Sequence, residues 1–317
     1  MEGQDAEMLM TMERAESLFG LRNVSMRGDG VNILASCPYS ANHRNGDAHP
    51  SFSINLELGV YICYGCGEKG NLVKLAQDVL GMSTVQAYDA VYGDLSPDEV
   101  SRLIGGGVGA QRPSGGVLAP LEADIAGWAR NETGYWAWRG FTQQTVGEWM
   151  LGYDPACNRA VVPVRFRGEF VGWSKRRLDE RDSPKWLHFK GMDRSRTLFG
   201  YDRADGRSCV VVEAPLSVVM LDQQGIKGAV ATFGCEMSQG QADIIRARYD
   251  SVTMFYDPDE AGRRGTERAL RMLAPFCDVS VVPQTRDDPA AMTVEENSRA
   301  IENAVPSWAF ESGFVIK

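Results

Sequence analysis

The chain has 317 residues, 44% of them hydrophobic and 24% charged, with a formal net charge of −9 at pH 7. It contains no apolar run near the roughly 20 residues that span a bilayer, and its acidic opening, Met1-Glu2-Gly3-Gln4-Asp5, lacks the apolar core of a signal peptide. Seven cysteines, an odd number, argue against a disulfide framework and for an intracellular, cytoplasmic protein with some cysteines in a metal site, while the net charge disfavours a nonspecific nucleic-acid coat.

Length alone predicts about two domains. Residues 6–19 show weak helical periodicity, and residues 24–35 read as a hairpin turning at Gly28-Asp29-Gly30. Cys37-Pro38-Tyr39-Ser40-Ala41-Asn42-His43 follows, then Cys63-Tyr64-Gly65-Cys66-Gly67. The spacing is C-x5-H, 19 residues, then C-x2-C. Three thiolates and one imidazole form a closed tetrahedral set suited to structural zinc, and Gly65 and Gly67 permit the turn that aims both sulfurs at one ion. His49 competes with His43 for the fourth position. Residues 71–80 and 84–92 read as amphipathic helices against this ribbon, and Ser96-Pro97-Asp98-Glu99 has the cap, proline and acid of a helix start.

The Gly-rich run 105–116 is a linker by composition. No strand precedes it and no Gly-Lys-Ser/Thr follows, so it is not a phosphate loop. The predicted division is a zinc-binding domain over 1–104, a linker over 105–120, the first part of a core over 121–207, an α/β subdomain over 208–290 and a tail over 291–317. Residues 159–207 carry 13 Lys or Arg against 7 Asp or Glu. Lys175, Arg176, Arg177 and Lys185 are candidates to hold template phosphates or a triphosphate, since cationic side chains, arginine above all, suit phosphate. Trp136, Trp138, Trp173 and Trp186 are candidates either to stack on unpaired bases or to fill the core.

Residues 208–284 alternate short β-branched strands with helices, which predicts a parallel, Rossmann-like sheet with right-handed crossovers. Ligands bind such sheets beyond the carboxyl ends of the strands. Glu213, Asp257, Asp259 and Asp288 all fall there, a set suited to Mg²⁺ or Mn²⁺. The plainer alternative is that Asp257-Pro258-Asp259-Glu260 merely caps the helix after it.

Glu213 with Asp257-x-Asp259-x-Ala261-Gly262 resembles the Toprim domain of DnaG-type primases, topoisomerases and some nucleases. Two positions depart from that pattern, Ala214 for glycine and Ser217 for an acid. The run Cys37-Pro38, His43, Pro50-Ser51-Phe52, Cys63-Tyr64-Gly65-Cys66 is similar to the CHC-type zinc domain of bacterial and phage primases, which favours His43 over His49. Between the two, Tyr135 to Phe141, Gly152-Tyr153, the strand opening at Arg159, the hairpin 168–177, Pro184-Lys185-Trp186-Leu187 and Leu198-Phe199-Gly200 resemble the primase core in order.

The resemblance implies template-directed synthesis of short RNA primers from ribonucleoside triphosphates on single-stranded DNA, by two-metal nucleotidyl transfer. Asp257 and Asp259 would hold metal, Asp288 would contribute from further away, and Glu213 would ligate metal or act as acid/base. Arg159 would join Lys175, Arg176, Arg177 and Lys185 in the nucleotide- or template-binding set. The zinc domain would read the template, swinging on the glycine linker. A Toprim nuclease and a silent DNA-binding or helicase-recruiting module are the rival readings. The absence of a Gly-Lys-Ser/Thr loop points to a separate helicase partner, and the departures with the short length point to a phage protein working in the host cytoplasm.

Overall fold

The computed structural model describes residues 10–43, 47–93, 118–131, 133–283 and 285–311. The first layer opens with α1 (Met12–Phe19), started by the Thr11 hydroxyl and ended by Gly20 in the left-handed region. Strands β1 (Arg22–Met26), β2 (Asn32–Ser36), β3 (Phe52–Asn55), β4 (Val60–Cys63) and β5 (Lys69–Asn71) form an antiparallel meander in that order. Helices α2 (Leu72–Leu80) and α3 (Thr84–Tyr92) cover it. The helix start predicted at Ser96 and the linker up to residue 117 lie outside the described residues.

The second layer has α4 (Leu118–Ala129), which begins inside the predicted linker, then α5 (Tyr135–Trp138) and α6 (Gln143–Glu148). Strands β6 (Gly152–Asp154), β7 (Arg159–Phe166), β8 (Glu169–Arg177) and β9 (Trp186–His188) make an antiparallel sheet in chain order. Ser174 stands opposite His188, Lys175 opposite Leu187 and Arg176 opposite Trp186. Side chains alternate faces along a strand, so Ser174, Arg176, Trp186 and His188 share one face, and Trp173, Lys175 and Arg177 share the other.

The third layer runs β10 (Ser208–Val212), α7 (Pro215–Gln223), β11 (Ala229–Ala231), α8 (Gln239–Arg248), β12 (Ser251–Met254), α9 (Glu260–Leu273) and β13 (Asp278–Val281), followed by α10 (Val294–Glu302), β14 (Val305–Pro306) and α11 (Ser307–Glu311). The strand order is β11-β10-β12-β13-β14. The first four strands are parallel, and β14 is antiparallel to β13. Both faces are covered, as a parallel sheet requires. Cys209 and Val211 turn into the core shared with α8 and α9, and Val210 and Val212 into the core shared with α7 and the second layer.

Two expectations change here. The sheet extends past the predicted subdomain end at residue 290, because Val305 and Pro306 of the predicted tail add an edge strand. Ala309 is buried and Phe310 packs on the same core, so the described part of the tail belongs to the fold. The zinc-binding layer is also packed against the sheet's helical side. Leu58 and Val60 enter the α8/α9 core, Tyr88 and Tyr92 stack on Phe276 at 5.9 and 5.0 Å, and Arg271 pairs with Glu57. The Tyr92 hydroxyl donates to the Pro275 carbonyl at 2.5 Å.

Candidate active site and zinc-ligand cluster

Cys37, His43, Cys63 and Cys66 each bring one ligand atom to within 4.8 Å of the other three. Pairing of Phe52 with Cys63 in the meander sets the knuckle beside the Cys37–His43 loop. A Cβ at residue 65 would lie 2.6 Å from Ser51 Oγ and 2.7 Å from His43 Cε1, so only glycine lets the knuckle approach the imidazole. His49 is exposed and outside the cluster.

Asp47, buried and unremarked in the sequence, organises the loop. Its carboxylate accepts from Cys37 N–H at 2.7 Å, Ser51 N–H at 3.1 Å and Ser51 Oγ at 2.7 Å, and lies 3.6 Å from His43 Nδ1. His43 Nε2 is left on the Cys63 side, 3.4 Å from its sulfur. A carboxylate behind the imidazole is the arrangement that fixes a metal-ligating histidine's tautomer. Burial opposes ionisation of Cys63, but the Ser51 hydroxyl and the Cys66 and Gly65 N–H groups outweigh it and bring that thiol down to about 7. The set fits zinc by ligand type and proximity.

The acidic edge arises from topology. From β10 the chain crosses to β11 on one side and returns to β12 on the other, so the strand order reverses at β10. A crevice opens beyond the strand ends at such a point. Glu213 follows β10 directly, and Asp257 lies three residues past β12. Asp257 N–H donates to Glu213 Oε1 at 3.0 Å. A Cβ at residue 262 would fall 2.1 Å from the Asp257 carbonyl and 2.7 Å from Glu213 Oε1. Gly262 is therefore what allows the first turn of α9 to sit against both acids.

Glu213, Asp257 and Asp288 line one cleft of about 240 Å³. Burial, and then the charges of Asp257, Asp259 and Asp288, push the Glu213 carboxyl up to about 7. Asp257 rises to about 6 through burial and the charges of Asp288 and Asp259, against the pull of Lys185. Carboxylates that oppose one another's ionisation form a donor set completed by a divalent cation, and Glu213, Asp257 and Asp288 fit that role. Asp259 is exposed and caps α9, accepting from Gly262 N–H at 2.7 Å. The capping alternative thus describes Asp259 but not Asp257.

The facing wall is basic. Arg139, Arg176 and Lys185 line the cleft with Trp186 and His188. Arg139 Nε is buried without a partner among the described residues. The other nominated cations point elsewhere, for the reason set by strand alternation. Lys175 pairs with Asp154 at 2.6 Å on the opposite face, between the Trp128 and Trp173 rings. Arg159 is buried on Asp182 at 2.8 Å, and Arg177 is held by the Asp182 carbonyl and by Glu180. Trp136 is a core residue donating to the Gly152 carbonyl, Trp173 faces away, Trp186 lines the cleft and Trp138 is 76% exposed. Arg139 and His188 line the site although neither is among the residues nominated from the sequence. The signal for His188 was its two-residue spacing from Trp186 on a strand facing Arg176.

The family model described as CHC2 zinc finger matches residues 7–96, and that described as Toprim domain matches residues 207–283. DNA primases of Clostridium acetobutylicum and Escherichia coli K12 are each 25% identical, over 89% and 90% of this chain and 56% and 59% of their own lengths. That of Helicobacter pylori is 27% identical over 79% of this chain and 52% of its own. The chain thus spans about half the length of the curated relatives it matches. The Aquifex aeolicus primase zinc-binding and RNA polymerase domains share its fold with a TM-score of 0.55 at 21% identity, covering 96% of this chain and 86% of that one. A DnaG primase catalytic domain bound to ssDNA superposes with a TM-score of 0.54 at 21% identity, covering 61% and 80%. Among the described residues no helix is long and apolar enough to cross a membrane. A CHC2 zinc-finger match ahead of a Toprim-domain match, with similarity to DNA primases along some nine-tenths of its length, makes the chain similar to DnaG-type primases.

Proposed function

We propose that the protein is a DNA primase, joining ribonucleotides into short RNA primers on a single-stranded DNA template. The observation that carries this reading is one cleft with mutually repelling carboxylates on one wall and Arg139, Arg176 and Lys185 on the other. A triphosphate would lie between them. The two guanidinium forks and the ammonium bind its phosphates, and Glu213, Asp257 and Asp288 hold Mg²⁺, with Asp259 at the rim. Bound Mg²⁺ supplies charge neutralisation at the attacking and leaving oxygens.

Glu213 orients Asp257 through Oε1. Its Oε2, which makes no hydrogen bond among the described residues, is the oxygen free to join the Mg²⁺ set. Trp138 offers an exposed face to an unpaired base. The Cys37, His43, Cys63 and Cys66 ribbon, with zinc, contributes template recognition, and a separate helicase delivers the strand.

The test is incubation with mixed-sequence single-stranded DNA, labelled ribonucleotides and Mg²⁺. Short labelled RNA should form, and Glu213→Gln or Asp257→Asn should abolish it while leaving the zinc content intact. Shortening of the DNA without incorporation would identify a nuclease instead. Wild-type incorporation by Glu213→Gln would sink the assignment of the acids.

A further inference from the structure

We infer that His188 is a positioning residue for the incoming nucleotide, donating a hydrogen bond from Nε2 to the ribose 2′-hydroxyl. The inference rests on the primase reading of the cleft and specifies how that cleft treats the sugar. His188 ends β9 opposite Ser174, a residue with no exposed surface. Ser174 Oγ lies 2.9 Å from His188 Nδ1, which anchors that nitrogen. The ring lies parallel to Trp186 at 6.5 Å and 13° and meets the Phe233 ring edge-on at 6.1 Å and 85°. Trp186, His188 and Phe233 all line the cleft. The imidazole is thus held in one orientation from three sides.

Nε2 makes no hydrogen bond among the described residues, and it is not among the buried atoms left without a partner. It opens into the cleft. Burial, and then the charge of Arg194, lower the imidazole to about 4, so the ring is neutral where the enzyme works. The buried Ser174 hydroxyl has no other acceptor among the described residues, so we assign it as donor to Nδ1, which places the neutral ring's proton on Nε2. Arg139, Arg176 and Lys185 already supply charge for phosphate oxygens. An uncharged donor beside them suits an uncharged oxygen, and the nucleotide's uncharged hydroxyls are on its ribose. A site that hydrogen-bonds a hydroxyl disfavours the analogue lacking it, because the donor is left unpaired.

The experiment measures primer synthesis with GTP as the varied nucleotide, and GTP and dGTP binding by equilibrium dialysis with Mg²⁺, for wild type, His188→Ala, His188→Gln and Ser174→Ala. One lost neutral hydrogen bond corresponds to about a 3–10-fold effect. His188→Ala should raise KM and the GTP dissociation constant by that factor, leave kcat within about twofold, and narrow the preference for GTP over dGTP. His188→Gln, which returns an N–H near the Nε2 position, should recover most of the loss. Ser174→Ala should show a smaller effect in the same direction, and the double variant should be no worse than His188→Ala. Unchanged KM and GTP affinity in His188→Ala overturn the inference, as do equal losses in the Gln and Ala variants or a loss confined to kcat. If His188→Ala does not fold, His188→Gln against Ser174→Ala still decides. Absence of primer from the wild type overturns the primase reading, and the dialysis series still reads the His188 contact by itself.

Discussion

Replacing Glu213 with Gln tests the electrostatics of the acidic edge directly. Gln keeps an oxygen to accept the Asp257 N–H and removes one negative charge. In the protein without added Mg²⁺, the Glu213 carboxyl is raised from its ordinary 4.5 to about 7. A raised folded-state pKa means that the group's contribution to stability is fully present below pH ~4.5 and is lost as pH rises through ~7. At ~1.4 kcal/mol per pH unit the full effect would be roughly 3 kcal/mol. Water reaching the half-buried carboxyl screens this to about 1–2 kcal/mol. Asp257 titrates in the same window, near 6, so the two behave as a pair. Glu213→Gln should therefore match wild type near pH 5 and melt about 2–6 °C higher at pH 8. Saturating Mg²⁺ should reverse the order, because the wild type gains ligand-binding free energy that the variant lacks. Melting curves at both pH values, with zinc left in place, make the comparison. A variant less stable at pH 8 without Mg²⁺, or with the same advantage at both pH values, would refute the argument.

Asp47→Ala should weaken zinc retention 10–100-fold in chelator competition, with Asp47→Asn intermediate; unchanged retention would remove Asp47 from the site. His43→Ala should lose the zinc equivalent while His49→Ala keeps it, as read by metal analysis. Lys175→Met should cost about 3–5 kcal/mol in denaturant unfolding, because it leaves Asp154 buried without its cation. Lys185→Ala should weaken nucleotide binding with little change in stability, and the opposite pattern would reverse their roles. Deleting residues 307–317 removes Ala309 and Phe310 from the core, so priming and thermal stability should fall together; full activity with an unchanged melting temperature would contradict that packing.

The strands of residues 208–284 were legible because a parallel sheet covered on both faces needs near-continuous apolar runs, and residues 209–212 and 252–255 come close to that pattern. The zinc ligands were legible because C-x2-C geometry is local, dictated by a turn of four residues. Position along the chain also placed Glu213 and Asp257 at strand ends without further help.

Local pattern does not carry pairing. Which face of β8 meets the cleft depends on its register with β7 and β9, and a shift of one residue would have put Lys175 in the site and Arg176 outside it. The same long-range pairing buried Arg159 on Asp182 and brought His188 and Arg139 to the acids. Asp47 was invisible for a related reason, since its four hydrogen-bonding and ionic contacts form only once the loop from Cys37 to Ser51 has closed. Residue type and spacing determine which chemistry the chain can perform, and tertiary contact decides which of several similar side chains are present to perform it. Charges that look equivalent in sequence differ once the fold sets the dielectric and the partners around each one.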